Sequence, residues 1–323
     1  MAENLVWGLV NIIYIFLGGL GIGAFFISAL FILGGKVDKT RFSAARYGAF
    51  TAFIAAIAGA LILPTELGHP FRAWRVFFNF AHGWQSPMFY GSWLLLLFVA
   101  TSFFYALTFL PRQAAPDDAQ HKTRKTLAYI GLAVGFALGI YYGVLHAAMP
   151  ARPFWNTPLL PFLFLFSAYA SGIGAVMLLR GLLHKNSGNA ENETQYQNSG
   201  YQLLAWILAL SLGQLLLLFV FIIFGTNFAD ASMRQAVDLI MPGGVLANDF
   251  WAWVVLVGLV VPAAIALFYM TPRLFANRAK AGAPRIAEII LPVTLLFGSY
   301  MLRYVVIVAG QMSGQTGLNF PFL

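Results

Sequence analysis

The sequence predicts an all-α integral membrane protein of eight transmembrane helices, arranged as two four-helix bundles with both termini outside. Three observations predict it. The 323-residue chain is 60% hydrophobic and only 9% charged, where soluble domains carry about 25% charged residues. Its mean hydropathy is +0.78, and the apolar residues gather in runs near or above the roughly 20 residues that cross a bilayer. Lysine and arginine, finally, fall mostly in alternate connections between those runs.

The runs span residues 5–34, 44–63, 88–110, 126–148, 158–183, 201–225, 250–270 and 286–309. They are apolar all round rather than on one stripe, which excludes a soluble bundle. One transmembrane domain, 1–323, accounts for the whole chain. Several runs exceed the bilayer's need, so tilt or extension beyond the lipid is expected. The glycines of the first run (Gly18, Gly19, Gly21, Gly23) suit close helix packing. No strand precedes them, so a nucleotide loop is not expected.

Orientation follows from charge. The connections after spans one, three, five and seven hold fourteen lysines and arginines, Lys39, Arg41, Arg46, Arg124 and Arg180 among them. The other side holds four, Arg72, Arg75, Arg152 and Arg234, and Arg303 lies within span eight. The basic side is expected inside, with multi-pass residence in a bacterial inner membrane. The formal net charge of +8 therefore reflects basic loops and not a nucleic-acid partner. The N-terminal MAEN is not basic and the first run is of full length, so no cleavable signal is expected. The basic-side connections read as simple connectors. Among them, His184–Gly200 reads as a polar, mobile stretch whose glycosylation triplet, Asn192-Glu193-Thr194, is unused on that face.

There is no cysteine, which excludes a cysteine-ligated iron–sulfur cluster, a thiol nucleophile and disulfides in this chain. His69, His82 and His146 fall at the outer edge and His121 and His184 inside, so no facing pair for a bis-histidine haem is expected. His146 alone reads as a surface or cap residue.

The chemistry-bearing stretch runs from Leu63 to Trp93. It packs Glu66, His69, His82, Arg72, Arg75, Trp74, Trp84 and Trp93 into one connection of a charge-poor sequence. Arg72–His82 has aromatic and basic residues at helical spacing and is expected to lie along the interface. The connection after span six is expected to hold another short helix, with Met241-Pro242-Gly243-Gly244 as its breaker. Charged groups at mid-bilayer cost about 2.5–3.5 kcal/mol on insertion scales, so polar residues within spans are the informative ones.

Asn11 and Tyr14 lie in the first turns of span one and, three apart, share a face. Tyr141 lies fifteen residues into span four, about 22 Å along, and Arg303 about 27 Å along span eight. All four, with Glu66 and His69, reach the outer half. Arg303 stays charged and needs an acceptor. Glu66 is the expected one, directly or through water; the alternative is that Arg303 snorkels to the interface or caps helix carbonyls. Glu288, near the inner end of span eight, is expected to offset Arg285 rather than join a proton path.

At these residues the sequence resembles the polysulfide reductase membrane-subunit (NrfD-like) family. The resemblance rests on Pro64-Thr-Glu66-Leu-Gly68-His-Pro70-Phe-Arg72, Ser86-Pro-Met-Phe-Tyr-Gly91-Ser-Trp93, Tyr141-Tyr-Gly143, Arg152-Pro-Phe-Trp155-Asn156-Thr, and Leu302-Arg303-Tyr-Val with Ala309-Gly-Gln311. It implies a membrane anchor that exchanges electrons with menaquinone or ubiquinone near the outer face. The implied partners are a ferredoxin-like iron–sulfur subunit and a molybdopterin catalytic subunit, on the periplasmic side. It implies Asn11, Tyr14 and Tyr141 as headgroup-pocket residues, Tyr14 standing where relatives carry histidine, with His69 and Arg72 beside them. Glu66 and Arg303 match positions tied to proton movement. Two other classes fit the composition. A secondary transporter or channel usually keeps its site near the midplane. A passive anchor would use Trp74, Trp84, Trp93 and Trp155 only as an aromatic belt.

Overall fold

The computed structural model describes residues 7–35, 37–66, 72, 74–78, 83, 85–110, 118–183, 190–275 and 287–314. The first helix, α1 (Leu9–Leu33), is followed by α2 (Lys39–Ile62), which runs into a 3-10 turn, Leu63–Glu66. A short α3 (Arg75–Phe78) precedes α4 (Pro87–Leu107), α5 (Asp118–Ala147) and α6 (Leu160–Leu183). Then come α7 (Ala190–Ile223) and a short α8 (Ala231–Asp238). A π-helical stretch, Asp249–Val260, continues without break into α9 (Val261–Phe275), and α10 (Ala287–Met312) is the last described helix. Eight of these are long and apolar enough to cross a membrane, the π stretch and α9 counting as one.

Local chemistry fixes the ends. Asp38 caps α2 by accepting from the Arg41 amide at 2.7 Å, and Asp230 caps α8 by accepting from Met233 N at 2.9 Å. Pro87 opens α4 at a position where no amide donor is needed. Gly35 turns the backbone after α1 with φ +121°, a conformation that side chains resist. Pro64 ends the regular bonding of α2. Gly243, at φ +98°, makes the expected break after α8.

The helices close into two rings of four. In the first, α1 packs on α2 and α5, and α4 fills the gap between those two. In the second, α6 packs on α7 and α10, and the π stretch with α9 lies between them. The rings meet where α1 crosses α6. A Cβ at Gly23 would strike the Ala168 backbone, and one at Gly172 would strike Gly23 itself. Small residues thus bring the two backbones together, as expected for association inside lipid. Trp7 N donates to Gln311 Oε1 (2.9 Å), so the start of α1 and the end of α10 emerge at one face.

The structure corrects several readings at the basic end. The stretch expected to be a mobile connector is helical from Ala190 onward, and Tyr196 and Ser199 in it are buried. Hydropathy sees only the lipid-facing part of α7. Its polar first turns remain helical because Glu191 and Glu193 complement the positive helix end. For the same reason α5 begins at Asp118, earlier than its apolar run. Glu288 pairs with Arg180 at 3.1 Å and accepts from the Tyr196 hydroxyl; Arg285, its expected partner, lies outside the described residues. Arg180 also donates to the Tyr196 carbonyl at 3.0 Å, and its guanidinium lies 3.9 Å from that residue's ring centre. Arg124, counted among the loop cations, is buried between Phe42 and Phe109 and donates to the Thr108 carbonyl. These groups are parts of the bundle, not solvated connectors.

Candidate functional site

A cavity of about 270 Å³ lies at the opposite end, inside the first ring. Asn11 and Tyr14 line it from the first turns of α1, three apart on one helix face, and Trp7 from just before that helix. Leu63 contributes from the turn after α2, and Tyr141 and Leu145 from the last turns of α5. Met88, Gly91, Ser92 and Leu95 line it from the first turns of α4. The starts of α1 and α4 and the ends of α2 and α5 thus meet at one side of the bundle. The volume approaches the lower end of small-molecule sites, roughly 300–1,000 Å³. Its walls have the usual make-up of such sites, apolar with a few convergent polar groups.

Asn11, Tyr14 and Tyr141 bring polar side chains to this space from α1 and α5; Ser92 of α4, also on the wall, donates to the Met88 carbonyl at 2.8 Å. Asn11 is half-buried, while Tyr14 and Tyr141 are buried. Gly91 makes room for Tyr141: a Cβ there would lie within the phenol ring. Behind them stands Tyr142. Its ring meets Tyr14 edge-on at 5.7 Å and Tyr141 at 6.1 Å. Its buried hydroxyl lies against Gly18. The Tyr14 hydroxyl is beside it, yet the Tyr142 hydroxyl makes no hydrogen bond of good geometry among the described residues.

Arg303 is one layer deeper. It is 1% exposed, so it does not snorkel. Its Nη1 donates to Ser167 Oγ at 2.8 Å and to the Ser299 carbonyl at 2.7 Å. Ser299 lies one turn back on α10 itself and Ser167 within α6, so both acceptors are inside helices rather than at helix ends. Gly19 leaves room for Nη2, and the rings of Phe16 and Phe164 lie 5.7 and 6.0 Å from the guanidinium carbon. The backbone of Glu66 closes the turn that begins at Leu63. Its carboxylate, and the whole of His69, His82 and Trp84, lie outside the described residues. Arg72 is exposed and does not line the cavity. Trp74, just before α3, and Phe78, at its end, are exposed.

Sequence reasoning missed the rear wall. His146 is fully buried rather than at the surface. Its Nδ1 donates to the Tyr142 carbonyl at 2.8 Å, which leaves Nε2 buried and unpartnered among the described residues. The imidazole packs between Trp7 (4.9 Å), Trp155 (5.1 Å) and Phe164 (5.4 Å). Trp155 donates from its indole to the Val306 carbonyl at 2.7 Å, and Gln311 holds both backbone groups of Trp7. The spacing of Tyr142 and His146, four apart on α5, was the available signal. Nothing in the sequence tied Gln311 to Trp7.

A larger cavity of about 390 Å³ lies between the connection before α6 and the start of α8. Asn156, Asp230 and Ser232 line it, with no phenol hydroxyl.

Comparison with known families decides the affiliation. Residues 1–314 match the family described as polysulphide reductase, NrfD. The chain belongs to that family. The NrfD relatives include Protein NrfD of Escherichia coli K12, 29% identical over 96% of each sequence. A polypeptide of the polysulfide reductase of Wolinella succinogenes is 26% identical over 96% of this chain and 95% of its own. A polypeptide of the selenate reductase of Mesobacillus selenatarsenatis is 27% identical over 54% of this chain and 47% of its own. Like its family, this NrfD-family protein is an integral membrane protein, and its eight spanning helices accord with that.

Proposed function

We propose that this protein is the quinone-binding membrane subunit of a respiratory molybdopterin oxidoreductase complex. In this reading it exchanges electrons between menaquinone or ubiquinone and a ferredoxin-like iron–sulfur subunit docked outside a bacterial inner membrane. Relatives named as parts of polysulfide and selenate reductases support the assembly. The observation that carries the reading is the cavity itself. Asn11, Tyr14 and Tyr141 converge from two helices on a space whose other walls are mostly apolar, Leu63, Met88, Leu95 and Leu145 among them.

These residues fit a quinone headgroup. A planar ring with two carbonyl oxygens needs apolar walls for its faces and donors at its edges. The Asn11 amide and the Tyr14 hydroxyl supply donors from α1, and the Tyr141 hydroxyl supplies one from α5. A bound quinone supplies two-electron, two-proton redox chemistry. The protein's part is to orient it, exclude water and handle protons. Donors fixed in a low-dielectric site favour added negative charge on the oxygens they face. Tyr142 seals the inner wall behind both tyrosines.

Proton exchange is assigned to Glu66 and Arg303. Glu66 lies three residues beyond Leu63, a cavity-lining residue, at the outer end. A carboxylate there exchanges protons with the outside and serves as general acid or base. Arg303, buried behind Phe16 and Phe164, places a fixed positive charge in the same half of the bundle. His69 and Arg72 are assigned to the mouth.

The test uses purified complex. Glu66→Gln and Tyr141→Phe each lower quinol-linked turnover by on the order of a hundredfold, the scale of one general acid–base group, while the subunits still copurify. Near-normal turnover in both variants overturns the site. Purification of the protein without any iron–sulfur partner would favour the transporter reading.

A further inference from the structure

At the basic end, a second cavity of about 270 Å³ opens along the seam between the two rings. Its floor and one wall are Ile27, Leu30 and Phe31 of α1; α7 supplies Ala205 and Trp206 opposite. The polar groups are Arg41 of α2 and Gln202 of α7. We propose that this crevice binds an anionic phospholipid of the leaflet on the basic side, with its phosphate at Arg41 and Gln202 and an acyl tail against Ile27 and Trp206.

Depth separates the two chemistries. Ile27 lies seven residues before Gly34, about 10 Å along α1. The cavity is therefore polar at the helix ends and apolar about two turns below, matching a lipid's own order of groups. Arg41 reaches across the mouth, its Nη1 donating to the Gly34 carbonyl at 3.4 Å. A guanidinium carries five donors, so bonds within the protein and a phosphate can share the same group. The N-terminal end of α2, one turn from Arg41, is itself positive and adds to the guanidinium at the mouth. The nearby acid, Asp38, is engaged as the cap of α2.

The apolar wall is firm. Trp206 meets Phe26 edge-on at 5.6 Å, and Phe26 in turn stacks on Tyr169 at 4.2 Å. A small soluble anion would leave this wall facing an unfilled space, whereas an acyl tail covers it. A zwitterionic headgroup would bring its own ammonium toward the Arg41 guanidinium and the positive end of α2. Basic pockets between membrane helices recognise anionic headgroups for these reasons.

The experiment is native mass spectrometry of the full-length purified protein, loaded equally with phosphatidylglycerol and phosphatidylcholine of matched acyl tails. The wild type retains phosphatidylglycerol preferentially. Arg41→Gln lowers that retention about fivefold, the value of one cation near a headgroup, and leaves phosphatidylcholine unchanged. Ala205→Phe, which fills the crevice from another helix, lowers both. Equal retention of the two lipids by the wild type, or unchanged phosphatidylglycerol in both variants, overturns the proposal. So does displacement of phosphatidylglycerol by millimolar inorganic phosphate, which marks a soluble-anion site.

Discussion

The phenol ring of Tyr141 occupies the space that a side chain at Gly91 would need. Helix α4 therefore sets where Tyr141 stands, from four residues inside its own start. Gly91→Ala forces the ring or the helix to move, an overpacking cost of about 1–3 kcal/mol. Misplacing a positioned group by about 1 Å can cost on the order of a hundredfold in rate. The expected outcome is a larger loss of quinol-linked turnover than of thermal stability. Steady-state kinetics with a decylquinol, beside a melting curve of the same preparation, checks it. A variant that melts lower but turns over normally would detach Tyr141 from function.

How much of this was visible in the sequence depends on the kind of residue. The spans were legible because lipid selects apolar runs of fixed length. Asn11, Tyr14 and Tyr141 were legible because a polar group in such a run needs a reason, and they do line one cavity. Tyr142 and Trp7 were not, since an aromatic at a helix end also fits an interfacial belt. His146 lay in the last turn of an apolar run, a place that reads as surface although the residue is buried. The polar start of α7 was hidden because hydropathy is blind to helix outside lipid. Glu288's partners come from two other helices, and no one-dimensional pattern ties Arg180, Tyr196 and Glu288 together.

Gln311 clamps Trp7 through both of its backbone groups, at 2.9 and 3.1 Å. One wall of the cavity in the first ring is thus held from α10 in the second. Gln311→Leu removes both bonds and leaves the Trp7 amide and carbonyl to find others. The expected destabilisation is about 1–3 kcal/mol. Because Trp7 lines the cavity without carrying a proton, the KM for quinol should rise more than kcat falls. An unchanged KM would show that the wall does not need this clamp.

Arg180 and Glu288 form a buried ion pair with 4% and 6% of their side chains exposed. Removing one partner strands the other charge in a low-dielectric site. Glu288→Leu and Arg180→Met should each destabilise by about 3–5 kcal/mol, and the double replacement Arg180→Met with Glu288→Leu by much less. A double-mutant cycle on denaturation midpoints in one detergent checks this. Additive losses would mean that the pair is not coupled. Tyr196→Phe adds a control, since Glu288 also accepts from that hydroxyl.

The last prediction concerns the Tyr142 hydroxyl, buried without a well-formed hydrogen bond among the described residues. An unsatisfied buried hydroxyl costs roughly 1–3 kcal/mol, so on structure alone Tyr142→Phe should be neutral or stabilising. The hydroxyl nevertheless sits where α1 has only Gly18, behind Tyr14 and Tyr141. If protons move between the cavity and the interior by way of this group, Tyr142→Phe raises the melting temperature and lowers turnover together. That pairing separates function from folding, because a structural defect lowers both. Turnover equal to wild type in the stabilised variant would remove Tyr142 from any proton route and leave it as the back wall of the cavity.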